Sequence, residues 1–124
     1  MGVFLNRLRT EREDIDSDVE TLVSPLLFSS DILNKLIEVP TGFKTDNASV
    51  PRIPFAYLLV GGTADAAAAV HDYLYTVPPE LPGLTKFQAD MVFLEAMIAS
   101  GIPYWRRQLM YFAVRWFGRG AWND

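Results

Sequence analysis

A chain of 124 residues, half of them hydrophobic, has the length of one domain and enough apolar side chains for a real core. A formal net charge of -4 argues against a general nucleic-acid binder. With no cysteine and one histidine, the chain cannot form disulfides, Cys-based zinc sites, iron–sulfur clusters or a multi-His metal centre.

Residues 1–18 are charged and weakly patterned, and residues 1–20 carry three arginines against six acids. They read as a flexible charged arm, or an edge element, ahead of a single globular domain over residues 19–124. Residues 1–10 lack the apolar run and cleavage site of a signal peptide, and no apolar stretch reaches the length of a membrane span. Residues 19–28 read as a strand in which Pro25 favours an edge. A turn at residues 29–31 leads to a second strand over residues 34–39, stopped at Pro40-Thr41-Gly42, and residues 43–46 continue the extended path. Residues 45–55 form a loop stiffened by Pro51 and Pro54. A helix is expected over residues 63–76, then a breaker cluster rich in proline. Thr85 is placed to cap a second helix, which ends at Ser100-Gly101. A third helix starts near Pro103 and runs to about Phe117. The expected fold is α+β, a small antiparallel N-terminal sheet followed by three helices.

His71 lies in the first helix, inside the run Val70-His71-Asp72-Tyr73-Leu74-Tyr75. Tyr75 is four positions on and shares its face. In the second helix Asp90 interrupts an apolar stripe made by Phe87, Phe93, Leu94 and Met97. A carboxylate there is costly unless it finds partners, and His71 and Tyr75 are the candidates, so these two helices are expected to pair through His71, Tyr75 and Asp90. A histidine oriented by a carboxylate and a phenol is what a general base needs. The same trio also serves as a satisfied core histidine in a polar network. Asp72 points about 100° away around the helix. It reads as a surface charge, a cap for the 45–52 loop, or a ligand for a hard cation such as calcium. Asp46 is a turn former or a second cation ligand. Ser49 is a turn residue, or less plainly a nucleophile without the glycine elbow that would support one. Arg52 braces the loop by pairing with Asp46 or Asp72.

The pair His71-Asp72-x-x-Tyr75 and Asp90-x-x-Phe93-x-x-x-Met97 resembles the paired-helix core of secretory phospholipases A. That resemblance implies a calcium-dependent lipid ester hydrolase: His71 activates water, Asp72 holds calcium, and Tyr75 and Asp90 orient the histidine. A longer set of motifs spans nearly the whole chain: Thr45-Asp46-x-Ala48-Ser49-Val50-Pro51-Arg52, Ala69-x-His71-Asp72-x-Leu74-Tyr75 and Ala89-Asp90-x-x-Phe93. This set resembles a domain-of-unknown-function family of tailed phages and prophages. It implies a phage-encoded virion or tail-associated protein, made in the host cytoplasm and carried in the particle if structural.

The third helix carries Trp105, Leu109, Phe112 and Trp116 at helical spacing, and core packing is the default for such a stripe. Residues 103–124 also hold four arginines against one acid. Tryptophan with arginine is interface composition, so Arg115, Trp116, Arg119 and Trp122 are the candidate partner-binding residues. The expected partners are other phage structural proteins or further copies of the chain; a lipid surface is the next alternative, and nucleic acid is not expected.

Overall fold

Alternating polar and apolar side chains in the first third, and 3.6-residue periodicity beyond residue 64, divide the chain into strands and then helices. The computed structural model describes residues 2–12, 19–45 and 65–117. In order, its elements are β1 (Val3–Phe4), β2 (Thr10–Arg12), β3 (Glu20–Leu22), β4 (Leu26–Ser30), β5 (Lys35–Val39), β6 (Lys44–Thr45), α1 (Asp65–Tyr75), α2 (Lys86–Ala99) and α3 (Tyr104–Phe117). The fold is α+β, with the strands ahead of the helices.

The strands form two sheets rather than one: β1-β4-β5 and β2-β3-β6, each antiparallel. The expected strand over residues 19–28 is broken into β3 and β4. Pro25 has no amide hydrogen for a ladder, and the Asn6 side chain takes over there, donating to the Pro25 carbonyl at 2.7 Å and accepting from the Leu27 amide at 2.9 Å. Of the residues read as an arm or an edge element, 3–4 and 10–12 are edge strands, β1 of the first sheet and β2 of the second. Residues 13–18 lie outside the described residues.

In the first sheet, Leu26, Phe28 and Ser30 of β4 and Ile37 and Val39 of β5 point inward, as the two-residue period of a strand requires. Against this face lies α2, which also packs between α1 and α3. The small side chains of Ala67, Ala69, Ala89 and Ala96 are fully buried and let the α1 and α2 backbones approach closely. Both ends of α2 are set locally. Thr85 and Gln88 form a reciprocal capping box at the start. At the end, Gly101 takes a left-handed φ of 77°, and the amides of Gly101 and Ile102 return to the carbonyls of Ile98 and Met97.

A buried carboxylate the sequence does not single out fastens α2 to the first sheet. Glu95 accepts from the Ser30 hydroxyl at 2.7 Å and from the Asp31 amide at 2.8 Å, and so closes the turn after β4. Gly2 passes so near that a Cβ there would lie 2.7 Å from Glu95 Cγ and 2.5 Å from the Phe28 ring.

The expectation that Trp105, Leu109, Phe112 and Trp116 pack in the core is overturned. All four are more than half exposed, and α3 buries Met110, Ala113 and Val114 instead. Phe87, expected in the α2 stripe, is exposed too.

Glu95→Ala leaves the Ser30 hydroxyl and Asp31 amide without their acceptor, and hydrogen bonds to a charged group are worth about 1.5–3 kcal/mol each. The expected result in urea unfolding is a midpoint lowered by about 2–4 kcal/mol of stability with the secondary structure retained.

Candidate functional site

The side chains of α1 and α2 meet at Asp90, which has no solvent exposure. His71 comes from the middle of α1 and Tyr75 from its last turn, one turn apart on the face that packs on α2. His71 Nε2 and the Tyr75 hydroxyl both lie 2.7 Å from Asp90 Oδ1. On the other oxygen, Oδ2, Lys86 Nζ lies at 2.7 Å and Arg115 Nη1 at 3.0 Å. Lys86 is one turn earlier on α2 itself, and Arg115 reaches in from α3. The carboxylate accepts two donors on each oxygen, which uses all of its lone-pair sites.

This arrangement fixes the protonation states. Burial alone would push the Asp90 carboxyl up, but hydrogen bonds from His71, Lys86 and Tyr75 outweigh it and hold the group well below the usual carboxylate range. Asp90 is therefore an acceptor only, and His71 Nε2 carries the hydrogen between them. Burial, and then the hydrogen bond to Asp90, push the Tyr75 phenol well above its ordinary value, so it stays protonated as a donor. The His71 ring is 1% exposed. It is stacked on Phe93 at 4.5 Å between ring centroids and tilted against Tyr75 at 4.3 Å.

Lys86 has a second task. Its ammonium also donates to the Val114 carbonyl at 2.9 Å and lies 3.4 Å from that of Arg115, in the last turn of α3. Those carbonyls have no partner within their own helix, and a cation there complements the helix dipole.

The structure thus brings together three of the expected site residues, His71, Tyr75 and Asp90, and adds Lys86. Arg115, assigned from sequence to a partner surface, has its guanidinium both on Asp90 and over the exposed Phe87 ring at 5.2 Å. The four-residue spacing from Lys86 to Asp90 was a usable signal for the lysine. Asp72 turns towards β6, where it accepts from the Thr45 hydroxyl at 2.6 Å. Among the described residues no three acidic or histidine side chains converge as a metal site. Asp46, Ser49 and Arg52, with the loop that carries them, lie outside the described residues, as do Arg119 and Trp122. Trp116 is exposed on α3.

Nearby, the Tyr73 hydroxyl donates to Glu80 at the foot of α1. Partial burial and that acid raise its phenol to about 12.

Residues 20–114 match the family described as "Protein of unknown function (DUF1353)". A Sinorhizobium fredii protein, "Uncharacterized protein y4jT", is 32% identical over 84 residues, which cover 64% of this chain and 23% of that protein. The chain thus spans about a quarter of the length of this curated relative. No solved structure matches. Among the described residues, no helix is long and apolar enough to cross a membrane.

Asp90→Asn leaves two cations sharing no anion, and breaking a buried pair from one side costs about 3–5 kcal/mol. The loss is measured as a shift of the urea midpoint. The pH dependence follows from the signs. A carboxyl depressed in the folded state stabilises above its unfolded value of about 4, and that contribution is lost as pH falls below it. Raised phenols at Tyr75 and Tyr73 stabilise below their unfolded value of about 10 and withdraw support as pH rises above it. Stability against pH should therefore be a plateau between those limits, and Asp90→Asn should flatten its acid edge.

Proposed function

The chain belongs to the DUF1353 family, and from that premise we propose that it is a non-catalytic assembly protein of tailed phages and prophages. It docks on another chain of the particle through the outer face of α3. It is made in the host cytoplasm and carried in the virion. The observation that carries the non-catalytic reading is the burial of His71. A general base needs a free nitrogen facing a water, with a carboxylate behind it. Here the histidine ring packs against Phe93 and Tyr75 and is 1% exposed. A satisfied buried network of this kind fixes how helices meet.

The docking reading is supported by the outer face of α3. Tyr104, Trp105, Leu109, Phe112 and Trp116 are all more than half exposed. A contiguous exposed aromatic face is rare on a monomer and typical of a binding surface.

The triangle of His71, Asp90 and Tyr75 favours one other reading, the calcium-dependent lipid ester hydrolase, with His71 activating water and Asp72 and Asp46 on the ion. An esterase assay on the purified chain, with and without millimolar calcium, separates the two. The expected result is no turnover above background. Calcium-dependent hydrolysis that disappears in a folded His71→Ala chain overturns the non-catalytic reading.

The docking reading has its own test. The double substitution Trp105→Glu and Phe112→Glu falls on exposed positions, where stability changes stay within about 0.5 kcal/mol. Circular dichroism should be unchanged while incorporation into phage particles drops at least tenfold. Normal incorporation of the double variant overturns docking through α3.

A further inference from the structure

The side of α3 turned away from the core is a second, separate apolar stripe. Trp105, Leu109, Phe112 and Trp116 are between 52% and 64% exposed. They follow one another at intervals of four, three and four residues, the spacing of a coiled-coil seam. At 100° per residue the four lie within an arc of about 60°, and the buried Met110, Ala113 and Val114 centre about 120° away from it. The seam itself carries no charge, and α3 contains no acid. Such a face selects its partner by spacing and shape.

Resting on the docking reading above, we propose that the chain covering this face is a second copy, its α3 packed antiparallel about a two-fold axis that passes between Leu109 and Phe112. The seam has the same order from either end, with tryptophan outside and a smaller apolar side chain inside. The two-fold sets Trp105 of each copy beside Trp116 of the other, and Leu109 beside Phe112. One patch thus supplies both sides of an isologous contact. Opposite helix ends also come together, which the dipoles favour.

The edges of the seam permit this pairing. Arg106 and Ala113 border it on one side, Gln108 and Arg115 on the other. Antiparallel packing brings like edges together, so Arg106 approaches Ala113 of the other copy, and Gln108 approaches Arg115. The two copies of Arg106 are nine residues of rise apart, about 13.5 Å, and so are the two of Arg115. That exceeds the screening length of about 8 Å at physiological salt.

The area matches a modest dimer. Tyr104 and Phe87 are exposed as well, Phe87 beneath the Arg115 guanidinium at one edge. An aromatic side chain offers ~150–250 Å² when covered, so five rings a little over half exposed present roughly 600 Å². Two such patches remove about 1,200 Å² from water, the lower bound of a specific interface. Each copy already has its own core, so the dimer is reversible, with a Kd on the order of micromolar.

The test is sedimentation of the whole chain across the micromolar range. The expected result is a monomer–dimer equilibrium that Leu109→Asp weakens at least tenfold, with circular dichroism unchanged. The chain has no cysteine, so orientation can be read from engineered ones. Trp105→Cys and Trp116→Cys chains, mixed and oxidised, should give the mixed disulfide and little of either homodisulfide. A chain that stays monomeric at 100 μM overturns the proposal, as does a Leu109→Asp chain that dimerises normally, or a monomer that binds phosphatidylglycerol vesicles through these tryptophans. Homodisulfides in preference to the mixed product overturn the antiparallel arrangement. Failure of docking itself is read separately, from normal particle incorporation of the Trp105→Glu and Phe112→Glu chain. A monomer that still needs those two residues for incorporation leaves docking on a different chain standing.

Discussion

The Asp90 carboxylate sits where water does not reach, and it stays charged because four donors from three helices converge on it. A buried carboxylate without partners would protonate or unfold its surroundings. His71 and Tyr75 set the rotation of α1 on α2, and Arg115 sets the position of the last turn of α3. Lys86 ties that turn down a second time by binding its carbonyls. The arrangement of the three helices is thereby specified by one charge, over and above the nonspecific attraction of their apolar faces.

Glu95 does the corresponding work on the other side of α2. It lies five residues after Asp90, about 140° further round the helix. There it holds the turn after β4 through Ser30 and Asp31. The α2 helix is thus pinned by two buried acids, one towards the helices and one towards the sheet, with Val92, Phe93, Ala96 and Met97 filling the space between. Hydrophobic burial supplies most of the driving force for such a core, but it is not directional. The two carboxylates provide the direction.

The functional reading follows from the same pair of facts. A histidine buried against two rings is poorly placed to exchange protons with a substrate, and it and its fully hydrogen-bonded carboxylate are fixed parts of the packing. They are well arranged to hold α3 at a fixed angle with its aromatic side outward. The guanidinium that completes the buried network lies over Phe87, whose ring is exposed.

How much of this was legible depends on how local each cause is. The boundaries of α2 were readable from Thr85 and Ser100-Gly101, because capping is decided within a few residues of chain. The meeting of His71, Tyr75 and Asp90 was readable because an acid in an apolar stripe must find partners, and few polar residues were available on the adjoining helix. Glu95 gave no such signal: a lone glutamate in a helix usually faces water, and only the turn after β4, more than sixty residues away, makes burial favourable. The two-sheet arrangement was equally hidden, since β3 pairs with β6 across a stretch that includes a whole hairpin of the other sheet. The sequence by itself determined the α+β order, the helix ends and the polar trio, all of which rest on short-range periodicity, capping and the cost of burying a charge. Only the tertiary structure decided which side of α3 faces the core. That helix is apolar on both sides, so periodicity finds two faces and ranks neither. Met110, Ala113 and Val114 turn inward because Arg115 must reach Asp90 and Lys86 must reach the last carbonyls, contacts that exist only once α2 and α3 are packed together.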